Sequence, residues 1–220
     1  MKRQLSAIGT LLAFAFAISS CNSAADKTNK TDLEEKPVTH QGGWFKAGSD
    51  PQYYTMGIVT GAGRDGKNTG GIKSNENKIN GFGTYMQTCL ADNYKGKRIK
   101  MTGYVKTENV SDWAGLWLRV DVDTAFVAFD NMHDGKKKRS ITGTTEWTMY
   151  EIVLDVPANS TTINFGALLV GTGEIWFDDI SFTEVDNSVE TTGITTPYDL
   201  QNPPKPFTQV TEPYNLDFES

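Results

Sequence analysis

The chain is expected to fold as an all-β, antiparallel β-sandwich, and three observations predict this. From Gly43 to Val185 apolar and polar residues alternate with a period of two, in runs broken by Gly, Asn and Asp. No stretch in that span sustains the apolar stripe of a helix. Eleven Phe, eight Tyr and five Trp supply the bulk for a core between two sheets.

The segment before the sandwich has a different character. Lys2 and Arg3 precede a mostly apolar stretch, Leu5 to Ile18, which is too short to span a bilayer. Ile18-Ser19-Ser20-Cys21 then has the form of a lipobox, so residues 1–20 are expected to be a cleaved signal peptide and Cys21 to carry lipid. Residues 21–42 are polar and aperiodic, as a flexible tether is. The expected location is the bacterial cell envelope. Asn22 after the anchor, rather than Asp, favours the outer membrane of a two-membrane cell.

The sandwich is assigned to residues 43–185, and its strands follow in order. Gly83–Ala91 is one and Arg98–Lys106 a second, the latter placing Ile99, Met101 and Val105 on one side. Ala114–Val122 and Ala125–Phe129 come next. Met149–Val156 groups Tyr150, Ile152, Leu154 and Val156 before Pro157 ends it. Ile163–Val170 is apolar on both faces and is placed centrally, and Glu174–Glu184 closes the series. Residues 186–212 hold most of a cluster in which five of the chain's eight prolines lie between Pro197 and Pro213, and this arm is expected to be extended and loosely attached. Residues 213–220 read as a strand again, with Leu216 and Phe218 on one side.

Several segments together carry a resemblance: GWFKAGSDPQYYTMG from Gly43, GFGTYMQ at 81–87, WAGLWLRVD at 113–121, FDNM at 129–132, GTTEW at 143–147, LDVP at 154–157 and GTGEIWFDDI at 171–180. They resemble the galactose-binding-like jelly-roll domains, the architecture of many carbohydrate-binding modules. More narrowly they are similar to a β-sandwich often joined to helix-turn-helix regulators. The likeness covers roughly residues 43–185 and implies a jelly roll. The chain departs from the regulator form in offering no candidate recognition helix, so the resemblance carries over no role in binding nucleic acid. In such jelly rolls an NLDFE-like strand commonly comes first, whereas here Asn215–Glu219 comes last. A circular permutation is therefore expected, with this strand completing a sheet. The resemblance also implies a possible structural calcium near the first and last strands, with Asp178 and Glu219 as ligands, and no other cofactor. Parity groups Asp178 with Trp176, Ile180 and Phe182, a side that looks inward, where a carboxylate needs a partner. Backbone N–H groups, or a bulge that flips the parity, satisfy it equally well.

The candidate ligand face lies on the stripe from Trp113 to Asp121. Ala114, Leu116, Leu118 and Val120 form one clean apolar side. The opposite side carries Trp113, Trp117, Arg119 and Asp121. Two indoles and an ion pair suit a sugar ring, because C–H faces stack on aromatics and charged planar groups bond hydroxyls. The same composition also suits the outer face of a sheet, where aromatic and charge pairs stabilise. Tyr85 and Gln87 share a face of their own strand and would extend the patch. Asp130 and Asn131 begin a loop placed at the sandwich edge, as binding residues or as ordinary turn formers. The basic run Lys136–Arg139 reads as a solvated tip or as a contact for acidic glycans or headgroups.

Enzyme chemistry finds little to work with. There is no GxSxG, HExxH or Gly-rich phosphate loop, and of two histidines one falls in the tether. Paired carboxylates such as Asp121 and Asp123 could serve as acid and base at a sugar, and a turn after the strand explains them as well. Loss of Lys2 and Arg3 takes the formal charge from −6 to −8, which argues against nucleic acid as a partner. Cys89 is left without a disulfide partner and reads as a small core residue. The function expected is non-catalytic binding, most readily of carbohydrate, by an envelope lipoprotein. The alternatives are a protein-interaction scaffold and, behind it, a glycan-active enzyme.

Overall fold

The computed structural model describes residues 43–123, 125–196 and 210–219; Cys21, the tether up to residue 42 and residues 197–209 of the Pro-rich arm lie outside them. The strands are β1 (Phe45–Gly48), β2 (Tyr54–Val59), β3 (Thr69–Ser74), β4 (Phe82–Leu90), β5 (Lys97–Val122), β6 (Ala125–Asp130), β7 (Ile141–Val156), β8 (Thr162–Val170), β9 (Glu174–Val185) and β10 (Ile194–Thr195). All their pairings are antiparallel. The fold is a jelly-roll β-sandwich whose two layers share one strand. The first half of β5 lies between β9 and β7, and its second half between β8 and β6.

The stretches 98–106 and 114–122, read from the sequence as separate strands, are thus one 26-residue strand. Register shifts at Val105/Thr107, Thr107/Val110 and Val110/Ala114 against β7 absorb the change of layer, and Asn109 adopts a positive φ of 52° there. Bulges of this kind bend a strand without ending it. β7 likewise begins at Ile141 rather than Met149, since its Thr-rich first half pairs with the bulged part of β5.

The core lies between the layers and centres on aromatic rings. Trp44, fully buried, meets Phe165, Phe177 and Phe218 with centroids 5.6, 5.4 and 4.8 Å away. Gly70 of β3 permits this cluster, because a Cβ there would stand 2.6 Å from the Phe177 ring and 2.7 Å from that of Phe218. Cys89 is buried among apolar neighbours, which, with Glu212 as the lesser cause, pushes its thiol pKa up to about 12.

The C-terminal residues return to the domain, though not as the expected strand. Residues 211–219 form turns and bends, with φ of 48° at Asn215 and 60° at Phe218. Only an isolated parallel bridge, Val210 to Cys89, is strand-like. Polar anchors replace a ladder: Trp44 Nε1–H donates to the Asn215 carbonyl (3.0 Å), the Gln87 amide to that of Tyr214 (2.6 Å), and Ile180 N–H to that of Leu216 (3.1 Å). The arm also differs from expectation over residues 186–196. It is pinned by Arg98, which donates to the Asn187 and Val189 carbonyls at 2.7 Å each, and by β10 pairing with β6.

Candidate functional site

Alternation on β5 sends Ala114, Leu116, Leu118 and Val120 into the core, each fully buried, and turns Trp113, Trp117 and Arg119 to the other face of the sheet. There they meet a second apolar cluster, separate from the core, built on Met86, Trp117 and Leu168. A groove of about 500 Å³ opens over it. Phe82, Thr84 and Met86 of β4 and Leu168 and Val170 of β8 form the floor beside Trp117, and Phe129 of β6 flanks it. Trp117 is only 7% exposed, and its indole N–H donates to Thr84 Oγ1 at 2.8 Å. Trp113 is half-buried, with one face stacked on the His133 ring at 4.5 Å between centroids and 13° between planes.

A polar row crosses the same face at one end of the groove. Arg119 Nη2 donates to Asp121 Oδ2 (2.9 Å), Asn164 donates to that same oxygen (2.8 Å), and Thr88 donates to Asn164 (2.7 Å). Asp121 is buried, and desolvation lifts its pKa above the ordinary value against the pull of Arg119 and Asn164. Among the described residues Arg119 Nε and Asp121 Oδ1 find no partner.

Four of the sequence-derived site residues lie elsewhere or have structural duties. Tyr85 and Gln87 face the core, at 2% and 1% exposure, so β4 presents its even positions to the groove. Polarity misled the assignment: the returning tail satisfies Gln87, whereas apolar Met86 floors the groove. Asp130 is fully buried; it accepts from Met132 N–H (2.7 Å) and pairs with Arg139, which holds the loop closed. Asp121 supports Arg119 from below and is not among the lining residues. Asn131 does reach the groove wall, together with Asp134, whose carboxylate it holds at 2.9 Å. The residues the sequence reading missed, Phe82, Met86, Leu168 and Val170, left a trace in β8, whose two-faced apolarity marks a second buried surface.

Asp178 and Glu219 line one small cleft with Asp65, Asp179 and Asp217, and Lys67 lines it too. A bulge at Asp179, with φ of 50°, breaks the parity read along β9, so that Ile175 and Phe177 rather than Trp176 point inward. Asp178 accepts from Arg64 N–H (3.2 Å) and Asp179 N–H (2.8 Å), and Glu219 from Asn68 N–H (2.6 Å). Among the described residues no three acidic, Cys or His side chains converge as a metal's ligand set. The backbone therefore satisfies these carboxylates as placed.

No protein-family model matches the chain. It is 43% identical over 179 residues to a protein of Bacillus subtilis named an uncharacterized HTH-type transcriptional regulator, YbfP; the match spans 80% of this chain and 56% of that protein. The chain thus spans about half the length of this relative. Among solved structures, the CBM22-1 xylan-binding domain from Paenibacillus barcinonensis Xyn10C is 15% identical, with a TM-score of 0.45 over 65% of this chain and 86% of that one. The tandem CBM22 domain of the same protein gives 13%, 0.47, 66% and 47%. A Stig cyclase from Fischerella gives 12%, 0.45, 69% and 92%. At these identities and TM-scores no ligand or activity is transferred.

Proposed function

We propose that this protein binds carbohydrate, without transforming it, in the groove over Trp113 and Trp117. The observation that carries this reading is the second apolar cluster. A sheet face turned away from the core collects Met86, Leu168 and two indoles under an open groove, with Arg119 and Asn131 at its edge. Apolar floor and sparse convergent polar groups are what a sugar ring needs, its C–H faces stacking on indole and its hydroxyls bonding to the margin. In affinity electrophoresis against a broad polysaccharide panel, at least one polymer should retard the protein, and Trp113→Ala should remove the retardation. No retardation across the panel would favour the scaffold reading instead, and sugar released from the retarding polymer would show an enzyme.

The location proposed is the bacterial envelope, through lipid on Cys21, on the strength of the lipobox alone. Labelling with palmitate should be lost in Cys21→Ser; persistence would refute the anchor. Calcium is proposed only as a structural ion at the acidic cleft, which would need Asp217 and Glu219 to turn toward Asp178. Its addition should raise the melting temperature in the wild type and not in Asp178→Ala. An equal response, or none, rules the site out.

A further inference from the structure

The carbohydrate reading leaves the sugar's charge open, and two independent features of the groove speak to it. The first is Arg119. Its side chain is 42% exposed, it is the one cation lining the groove among the described residues, and it is held by a single hydrogen bond through Nη2. Asp121, the partner, is buried beneath it and shares the accepting oxygen with Asn164, so the rest of the guanidinium fork is not engaged by it. The second is the loop after β6. Asn131 and Asp134 at its start form part of the groove wall. Lys137 and Lys138 follow on the same loop, both exposed and without an ion pair among the described residues, while Lys136 is tied to Thr191 and Arg139 to Asp130. Asp134 is the single carboxylate in the wall, and Asn131 holds it. In a protein of formal charge −6, a cation inside the groove and two more on the loop whose start forms part of its wall run against the overall balance.

We propose that the groove takes a sugar chain bearing carboxylates, with the Arg119 guanidinium receiving one carboxylate and Lys137 and Lys138 attracting others along the chain. This rests on the carbohydrate reading above. A guanidinium fork matches a carboxylate in geometry as well as charge, and the two lysines act through longer-range attraction that salt screens.

Polygalacturonate and its fully methyl-esterified form share ring and linkage and differ in charge, so they are the probes, with neutral xylan beside them. The full chain should be retarded about tenfold more strongly by polygalacturonate than by the ester. That preference should shrink as salt rises to about 0.3 M. Arg119→Gln should abolish it, Arg119→Lys should restore only part, and the Lys137→Ser/Lys138→Ser double variant should flatten the salt dependence. Equal retardation by acid and ester in the wild type overturns the proposal and leaves the carbohydrate reading standing, as does a preference that survives Arg119→Gln. Absence of retardation by any polymer, xylan included, overturns both. The wild-type comparison decides even if a variant fails to fold.

Discussion

Asp121 shows how one buried carboxylate can hold a site at a cost. Its Oδ2 takes two donors while Oδ1 has none among the described residues. Asn at this position would keep both bonds and put an amide where the unpartnered oxygen stands. The pKa of Asp121 is raised in the fold, so the cost of its ionisation is absent below the ordinary value of 3.8, grows as pH rises from there to the folded value, and is constant above it. Asp121→Asn should therefore gain stability relative to wild type as pH rises through that window. Thermal melts across that range check it; a variant that loses ground as pH rises would mean that the Arg119 ion pair outweighs desolvation. The direction of Trp113, Trp117 and Arg119 was legible in the sequence, because the residues that alternate with them on β5, Ala114, Leu116, Leu118 and Val120, are an unbroken apolar set. That of Tyr85 and Gln87 was not, since what buries Gln87 is backbone from residue 214, distant in sequence.

Among the elements, the returning tail contributes most beyond its length. Phe218, with no exposed surface, closes an aromatic group with Trp44 and Phe177. Removing a buried phenyl ring costs about 3–5 kcal/mol. Phe218→Ala should lower the melting temperature by about 10 °C, whereas Glu219→Ala, exposed and bonded only to Asn68 and its own turn, should lower it far less. Equal small shifts in both would show that the tail is not part of the folded unit. That Leu216 and Phe218 belong to the core could be read from their spacing. Their conformation could not: two positive φ values in NLDFE turn a strand-like pattern into consecutive turns. Strand boundaries failed in the same way along β5, where bulges carry one strand through residues 107–113, the gap left between the two strands read there.

At the scale of the whole molecule, one sheet is asked to be apolar on both sides. Its inner face closes the core, and its outer face floors a groove with a cluster of its own. β8 shows this most plainly, with eight of its nine residues buried. An outer face made only for solvent would carry the cross-strand charge pairs found on the other layer, such as Lys97 with Glu184 and Lys100 with Glu151. The all-β class and the sandwich could be foreseen from alternation and turn residues. The groove could not, because it depends on β1, β4, β8, β5 and β6 lying side by side, an order that long-range pairing sets.

The five tryptophans allow that groove to be tested in one experiment. Each indole N–H gives its own signal in a nitrogen–proton correlation spectrum, and the five residues sit in different places: Trp44 in the core, Trp113 and Trp117 at the groove, Trp147 on β7 and Trp176 on β9. Titration with a panel of soluble neutral and acidic oligosaccharides should move the Trp113 and Trp117 signals in a saturable way and leave the other three in place. Movement confined to Trp147 or Trp176, or five stationary signals across the whole panel, would contradict a sugar-binding groove.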